Sequence, residues 1–520
     1  MMLDLDKILK EIWPKVRKRH LFPELPPPKC AQGEQRVGLD IKGKKISISK
    51  EFVVEMSKVL EPGEVLEGLL DHAVSHYLYC PWDFSTHLKL YGEAKSVLKE
   101  KGMAQRATDY FMDVVADTHC VSQKHTLLPK IYRHLNRGIL DEAVHALYQK
   151  IWGVDLGVGG YEEVARKLSR LPYLDRSRWR DSIRKFARVV HALLEGEEDV
   201  GGSKEPSPMG SHKLEQYSSL EIEQGLQELA LDAGEPSEFR EIVHDFEHEI
   251  SEVIQSKEQD MGLGRGRSLD ADLLYYMKLG ENYLLPIRKK LMEKSGSLYP
   301  HHHVPWEVGR PYQDIDPWTS FGKIMPGITQ TWHRLDGEVF SQEETTPDCI
   351  LIIDSSGSMT NPRQHLSHAV LGAACACDAY LRNDAQVAVY NFSDAHAGDR
   401  KILPYSRRRT EIYRTLCHYF GGGTRLDVED IEILQDPSRP DIFIITDMKI
   451  MNLKAVIGYL HQLENRVTAV HIGESDYVEQ FRQSMKIRNN ISIYCVQRKE
   501  DIPKIVLGKI GEYFNPSAGS

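Results

Sequence analysis

From residue 348 onward, short apolar runs alternate with segments of helical periodicity, and this alternation restricts the fold more than any other feature. The runs are CILIID, QVAVYNF, DIFIITD, RVTAVHIG and ISIYCV, and the helical segments lie at 362–383, 409–420, 453–464, 476–486 and 500–514. Strands that are apolar on both faces are typical of parallel sheets covered by helices on each side. The pattern therefore predicts an α/β doubly wound, Rossmann-like domain over 346–516, with ligands outside the carboxyl ends of its strands.

The preceding part of the chain has a different pattern, and 520 residues are too many for one ordinary domain. Residues 1–195 are mostly helical in periodicity, with a short strand pair over 37–49. Residues 196–345 begin with a Gly-, Pro- and Ser-rich linker over 196–212, continue through Glu-rich helices and a helix or helix pair over 272–294, and end in an irregular strap. The sequence thus predicts a mainly helical module, a middle region and the α/β domain.

The composition limits the partners and the compartment. A formal net charge of −10 at pH 7 argues against nucleic acid as a partner. There is no run of about 18 apolar residues, and the N-terminus, MMLDLDKILKEIWPKVRKRH, lacks the apolar core and cleavage site of a signal peptide. The eight cysteines are scattered without a CxxC pair, which is typical of reduced thiols. We therefore expect a cytoplasmic protein without a membrane span.

Oxygen-bearing side chains gather at the predicted carboxyl edge of the sheet. Asp354, Ser356 and Ser358 follow the first strand at alternate positions, so that their oxygens can face one point. Thr424 follows three glycines at the predicted start of a helix, and Asp447 ends the strand DIFIITD. Carboxylate and hydroxyl oxygens suit a hard cation such as Mg²⁺, which keeps several waters. The sequence predicts a magnesium site formed by these residues.

These residues resemble the metal-ion-dependent adhesion site (MIDAS) of von Willebrand factor A domains, over about residues 345–515. The resemblance implies that Asp354, Ser356 and Ser358 supply the first loop of the site, Thr424 the second and Asp447 the third. It also implies Mg²⁺, or Mn²⁺ or Ca²⁺, with an open position that a carboxylate from a protein partner fills. The loop carries no obvious catalytic base, so we expect it to bind a partner.

A second group of candidate ligands lies in the helical part of the chain. His72 and His76 are four residues apart on a predicted helix and share one face, a spacing that can hold Zn²⁺. The next long predicted helix carries a stripe of three aspartates with a period of four, which could supply a third ligand. The candidates for that ligand are Asp113 and Asp117, with His87 and His119 as weaker ones.

The stretch over about residues 35–125 resembles zincin metallopeptidases, in particular the metallopeptidase-related domains that precede von Willebrand factor A domains in some prokaryotic proteins. In those domains the first helix reads H-E-x-x-H, whereas here it reads HAVSH, with Ala73 at the position of the glutamate general base. An acid lies in the middle of the second helix of those domains, so the resemblance implies Asp113 rather than Asp117 as the third ligand. Without that carboxylate a zinc-bound water lacks its proton acceptor, and Asp71 is expected to point elsewhere. Three interpretations stay open: an inactive zincin-like fold that still binds zinc, histidines without a metal, and an active hydrolase with another base.

The two resemblances together imply an adaptor. Prokaryotic proteins of this layout often work beside AAA+ ATPases of the MoxR type, and the chain has no GxxxxGK[ST] phosphate loop of its own. We expect a cytoplasmic, non-enzymatic adaptor that binds a partner carboxylate through the MIDAS and couples a client protein to such an ATPase. The alternatives are a zinc-dependent hydrolase or peptidase whose von Willebrand factor A domain recruits substrate, and a scaffold with neither metal bound.

Overall fold

The computed structural model divides the chain into two compact units. Unit 1 comprises Met1–Asn282 with Arg363–Leu366, and unit 2 comprises Tyr283–Pro362 with Ser367–Ser520. The predicted helix over 500–514 and most of the predicted linker over 196–212 lie outside the described residues. The described residues are 4–32, 36–40, 44–81, 83–123, 125–135, 138–199, 217–247, 250, 270–283, 290–294, 299–308, 315–316, 318–320, 324–335, 341–436, 438–473, 477–485 and 490–496.

Unit 1 is built mainly from helices. Side chains cap several of them at the N-terminus, as when Asp4, Ser49 and Asp83 each accept a hydrogen bond from the backbone N–H three residues on. The helices are α1 (Leu5–Arg19), α2 (Lys50–Met56), α3 (Pro62–Leu78), α4 (Phe84–Leu98), α5 (Lys101–Gln123), α6 (Leu128–His134), α7 (Ile139–Trp152), α8 (Glu162–Leu168), α9 (Trp179–Asp199), α10 (Ser219–Asp232), α11 (Pro236–Asp245) and α12 (Ala271–Gly280).

A small sheet lies between α1 and α2 in sequence. Its strands are β1 (Lys29–Ala31), β2 (Val37–Asp40) and β3 (Lys45–Ser49), in the order β1-β3-β2. Strand β3 pairs antiparallel with β2 and parallel with β1. The strand pair predicted over 37–49 is present as β2–β3, whereas β1 was missed because three residues are too few to show a period.

Helices α3 and α5 pack against each other and are buried on nearly all sides. Helix α3 is buried continuously from Val65 to His76, and α5 from Ala107 to Thr118. A helix that is buried all round normally carries apolar residues on every face. These two instead carry aspartates and histidines in the buried stretch, and such groups need hydrogen-bonded or ionic partners there. Of the helices in the described part of the chain, none is long and apolar enough to cross a membrane.

Unit 2 contains a six-stranded sheet with helices between the strands. The sheet order is β10-β9-β8-β11-β12-β13. The elements are β8 (Cys349–Asp354), α13 (His368–Leu381), β9 (Val387–Phe392), β10 (Arg400–Ser406), α14 (Arg409–Leu416), α15 (Val428–Ile433), β11 (Asp441–Thr446), α16 (Leu453–Leu460), β12 (Val467–Ile472), α17 (Tyr477–Met485) and β13 (Ile491–Val496). Strands β4 to β7, whose ranges are given below, precede them in the sequence.

The α/β architecture predicted for this region is present, but the sheet is mixed rather than entirely parallel. Strands β8, β9, β11, β12 and β13 run parallel, and β10 pairs antiparallel with β9 at the edge. Strand β10 was not predicted, because RKILPYS is half-exposed along its length and lacks an apolar run. An antiparallel edge strand on an otherwise parallel sheet is a common arrangement.

The middle of the chain departs from its prediction. The segment 272–294 was predicted as a helix or helix pair, but α12 ends at Gly280 and β4 (Lys290–Lys294) pairs antiparallel with β7 (Ser341–Thr345). The strap predicted to be irregular contains β5 (Tyr299–Pro305), which pairs antiparallel with β6 (Gln330–Leu335). These strands are mostly polar and form because they pair with another strand. No local sequence pattern reveals such a pairing.

Candidate metal centres

The first candidate centre lies at the carboxyl edge of the sheet in unit 2, where two loops are joined through their backbones. The Gly357 N–H donates to the Gly422 carbonyl at 2.8 Å, and the Gly421 N–H donates to the Ser355 carbonyl at 2.9 Å. A Cβ atom at position 357 would lie 3.0 Å from the Gly421 carbonyl oxygen. Only glycine therefore allows the first loop to approach the second this closely.

Within the first loop, the polar side chains turn toward one another. The Asp354 carboxylate accepts from the Ser356 N–H at 2.9 Å, and the hydroxyl oxygens of Ser356 and Ser358 are 3.2 Å apart. Asp354 and Ser356 are buried, whereas Ser358 is exposed. The loop thus presents one carboxylate and two hydroxyls along a path from the sheet edge toward solvent.

The central strand β11 contributes to the same place. Thr446, its last residue, donates its hydroxyl to Asp354 Oδ2 at 2.6 Å. Burial raises the pKa of Asp354, and the negative charge of Asp447 adds to that rise, against hydrogen bonds from Ser356 and Thr446 that lower it. A buried carboxylate exposed to the negative charge of a second one marks a point where a cation is electrostatically favoured.

Asp447 itself carries an unsatisfied acceptor. Its Oδ1 accepts from the Lys449 N–H at 3.0 Å, while its buried Oδ2 has no hydrogen-bond donor among the described residues. The Lys449 ammonium lies 3.5 Å from Oδ2, an ion-pair distance. A buried carboxylate oxygen without a donor is costly, so it is the kind of atom that a bound cation would satisfy.

Thr424 lies in the second loop and not at the start of a helix as expected, since α15 begins at Val428. It is 8% exposed, and its carbonyl accepts from the Met451 N–H at 2.9 Å, which joins the second loop to the third. The sequence analysis also missed Asn391, which accepts from the Ser355 hydroxyl at 2.6 Å and supports the first loop from below. The structure therefore brings all three predicted loops together.

The second candidate centre lies inside unit 1, between α3 and α5. His72, His76 and Asp113 are all buried, and one ligand atom from each lies within 4.8 Å of the others. The two imidazole rings meet edge to face with centroids 4.4 Å apart. Asp117, the other acidic candidate, is not part of this group and instead contacts His72 on its Nδ1 side at 2.8 Å.

Hydrogen bonds fix the orientation of both rings. His72 donates through Nδ1 to Asp117, whose other oxygen accepts from the Tyr132 hydroxyl. His76 donates through Nδ1 to the Cys80 carbonyl at 2.6 Å. Burial, the largest single influence, lowers the pKa of His72, but the charge and hydrogen bond of Asp117 and the charge of Asp113 together outweigh it, so the pKa of His72 is raised. With each Nδ1 carrying a proton, a neutral ring presents the Nε2 lone pair, which is the atom that binds a metal.

The remaining contact of His76 brings two acceptors face to face. His76 Nε2 lies 3.1 Å from Asp113 Oδ1. If the ring is neutral, a lone pair and a carboxylate oxygen repel each other at this distance, and either an additional proton or a metal ion between them removes the repulsion. The two imidazole nitrogens and the carboxylate oxygen form a donor set that suits Zn²⁺.

The other residues considered near this centre have different roles. Asp71 points away, toward Arg19, His20 and Thr126, so it cannot act as a base toward the His72–His76 face. His20, Asp71 and Cys120 also lie close enough to hold a metal, but the Arg19 guanidinium already compensates the Asp71 charge. The weaker candidates lie elsewhere: His87 contacts the Tyr217 hydroxyl and His119 stacks on Tyr79.

Comparison with known proteins finds similarity among solved structures. No family model matches the chain, and no curated protein matches it. Among solved structures, the crystal structure of the SpRpn10 VWA domain is similar to this chain at 14% sequence identity with a TM-score of 0.23. The similarity covers 30% of this chain and 94% of that chain.

Proposed function

We propose that unit 2 is a von Willebrand factor A-type domain that binds a protein partner through a divalent cation. The cation, Mg²⁺ by preference, is held by Asp354, Ser356, Ser358, Thr424 and Asp447. The observation that carries the proposal is the buried Asp447 Oδ2, which has no hydrogen-bond donor in the described part of the chain and belongs to the same edge as a second carboxylate.

The donor set favours an ion that still attracts a further ligand. Two carboxylates and three hydroxyls are hard oxygen donors, which suit Mg²⁺, Mn²⁺ and Ca²⁺. Because the hydroxyls are neutral, part of the positive charge of the ion is left uncompensated. That charge would attract a carboxylate of an Asp or Glu from another protein. The donor set therefore favours binding of a protein partner.

The partner we propose is a client protein together with a MoxR-type AAA+ ATPase, in the cytoplasm. The resemblance of the two motifs to such prokaryotic proteins supports this assignment, as does the absence of a GxxxxGK[ST] loop from the sequence. In this arrangement the ATPase supplies the work, and the present chain supplies the cation-dependent contact.

The test is capture of partner proteins from the native cell extract with Mg²⁺ or with EDTA. Wild type is compared with Asp354→Ala/Ser356→Ala and with the control Glu432→Gln, an exposed acid of α15. We expect an ATPase and a client to be retained by wild type and the control only when Mg²⁺ is present. Retention that is unchanged in the double variant would refute the proposal.

We further propose that His72, His76 and Asp113 hold Zn²⁺ in unit 1. The specific observation is the 3.1 Å approach of His76 Nε2 to Asp113 Oδ1, with both Nδ1 atoms engaged elsewhere. Metal analysis of protein purified without chelator should give about one zinc per chain, lost in His72→Ala/His76→Ala. His244→Ala, an exposed histidine of α11, is the control that should retain the metal.

A zinc-dependent hydrolase is the alternative for this site, and Ala73 argues against it. Ala73 is buried where a general base would be needed, and Asp71 is engaged on the other side of the helix. Ala73→Glu tests the alternative: peptide cleavage gained by this variant would mean that the site is assembled and lacks only its base. Cleavage by the wild-type protein, abolished in His72→Ala/His76→Ala, would establish a hydrolase directly.

A further inference from the structure

The third loop of the MIDAS-like site carries a lysine that the proposed ion ligands do not use. Met448 has a positive φ of 61°, and the turn brings Lys449 back toward Asp447. The Lys449 ammonium lies 3.5 Å from Asp447 Oδ2, but this contact is not a hydrogen bond. The Lys449 side chain is 48% exposed, so its ammonium reaches both the buried carboxylate and the solvent above it.

A buried histidine lies beside this ion pair. His471, on the neighbouring strand β12, is paired in register with Thr446 and is buried. Arg482 also lies near this histidine, but its guanidinium is already paired with Glu479 at 3.2 Å. The half-exposed Lys449 ammonium is therefore the group at this edge that we consider for contact with an anion.

We propose that Lys449 is a second anchor for the partner's carboxylate, so that one carboxylate oxygen faces the cation and the other faces the lysine ammonium. This inference rests on the cation-dependent function proposed above and deepens it, because it names a residue that selects an acidic partner. None of the five residues assigned to the cation is needed for this second contact.

The same arrangement couples the two binding events. Without a divalent ion, Lys449 is the cation nearest to Asp447 Oδ2 among those described. Once an ion compensates Asp447, the ammonium loses its counter-charge and is available for an incoming anion. Cation and carboxylate should therefore bind cooperatively, each raising the affinity of the protein for the other, as linkage requires.

The experiment uses Mn²⁺ and acetate as probes on the full chain. The signal of free Mn²⁺ in electron paramagnetic resonance measures cation binding, and Mn²⁺-induced broadening of the carbon resonances of acetate measures carboxylate binding beside the ion. The variants are Lys449→Met and Lys449→Arg. Lys454→Met, an exposed lysine at the start of α16, is the control for loss of a surface charge in the same unit.

In Lys449→Met we expect acetate affinity for the Mn²⁺-loaded protein to fall about fivefold, as for one partly exposed charge pair. Mn²⁺ affinity in the absence of acetate should stay the same or rise, because the competing ammonium is gone. Lys449→Arg and Lys454→Met should behave like wild type.

Equal acetate affinity in wild type and Lys449→Met, with Mn²⁺ bound to both, would overturn the role of Lys449 and leave the proposed function standing. Failure of acetate to bind the Mn²⁺-loaded wild type would overturn it as well. Failure of wild type to bind Mn²⁺ would overturn the proposed function itself, and the inference with it.

Discussion

The two candidate metal centres differ in their ligand atoms and in the structural elements that carry them. In unit 1, His72, His76 and Asp113 project from two buried helices and offer two nitrogens and a carboxylate. In unit 2 the donors are oxygens on three loops at the edge of a sheet, and the backbones of those loops bond to one another. Nitrogen-containing sets suit Zn²⁺ and oxygen-only sets suit Mg²⁺, so the two centres should select different ions.

The difference also concerns what holds each ligand in place. In unit 1, side chains and one carbonyl fix the histidine tautomers, through Asp117 and the Cys80 carbonyl. In unit 2, backbone contacts such as that between Gly357 and Gly422 fix the loops. The first centre should therefore be sensitive to changes of polar side chains, and the second to anything that separates its loops.

The largest expected effect tests whether the two centres are independent. His72→Ala/His76→Ala should remove the zinc completely and leave Mn²⁺ binding in unit 2 unchanged, because the two sets share no ligand. Asp447→Asn should do the reverse, since it removes a carboxylate from the oxygen set. Elemental analysis and Mn²⁺ titration of both variants provide the measurement. Loss of both metals in either variant would mean that the two centres are not independent of each other.

The next effect concerns the second contact of His72. In Asp117→Asn, the amide can donate to His72 Nδ1 and so favour the tautomer whose Nε2 carries the proton. Loss of such an outer contact typically reduces metal affinity about 10- to 100-fold. Competition with a fluorescent zinc chelator measures it.

Two variants sharpen this result. Tyr132→Phe removes only the hydroxyl that bonds to Asp117, and its effect should be smaller. Tyr173→Phe loses a hydroxyl bonded to the Leu168 carbonyl of the same unit and should retain zinc affinity. Zinc affinity in Asp117→Asn equal to that of wild type would show that the tautomer is set by something other than this carboxylate.

The sequence predicted those features that depend on local periodicity. Apolar runs indicated β8, β9, β11, β12 and β13, and the i, i+4 spacing placed His72 and His76 on one face. It also ordered the three loops of unit 2 along one edge, because parallel strands end on the same side.

What the sequence could not indicate depends on contacts between distant segments. The strand β10 and the pairs β4–β7 and β5–β6 have polar or irregular patterns and exist through their partners. Likewise, spacing alone placed Asp113 and Asp117 on one stripe but did not distinguish them. Only the rotation of α5 against α3 decides that Asp113 faces the Nε2 side and Asp117 the Nδ1 side.

A smaller effect tests the role of the loop backbones in unit 2. Gly357→Ala places a Cβ atom 3.0 Å from the Gly421 carbonyl oxygen and 3.4 Å from that of Gly422, and both are backbone atoms that must move. Overpacking of this kind costs about 1–3 kcal/mol, and we expect Mn²⁺ affinity to fall about tenfold as the loops separate.

Gly372→Ala is the matched control, because its Cβ atom would meet only the Ile445 side chain at 3.9 Å. It lies inside α13, where alanine favours the helix by about 0.5–1 kcal/mol, so thermal stability should rise slightly without a change in Mn²⁺ affinity. If both glycine variants bind Mn²⁺ like wild type, loop contact does not control the ion site.

The smallest expected effect concerns Thr446, whose hydroxyl orients Asp354 without being a proposed ligand. Thr446→Val keeps the shape of the side chain but removes the 2.6 Å hydrogen bond to Asp354 Oδ2 and the oxygen that accepts from the Met448 N–H at 3.1 Å. The carboxylate stays in place through the Ser356 N–H, so Mn²⁺ affinity should fall only about two- to fivefold. Thr415→Val removes a buried hydroxyl that bonds within its own helix at 3.0 Å and should leave the Mn²⁺ affinity unchanged.

A loss of Mn²⁺ affinity in Thr446→Val as large as that in Asp447→Asn would indicate that the Thr446 hydroxyl is itself a ligand of the ion. The assignment of Thr424 as the ligand from the second loop would then need revision. An effect smaller than that of Gly357→Ala would instead support the view that loop backbones, more than side-chain contacts, hold the oxygen site together.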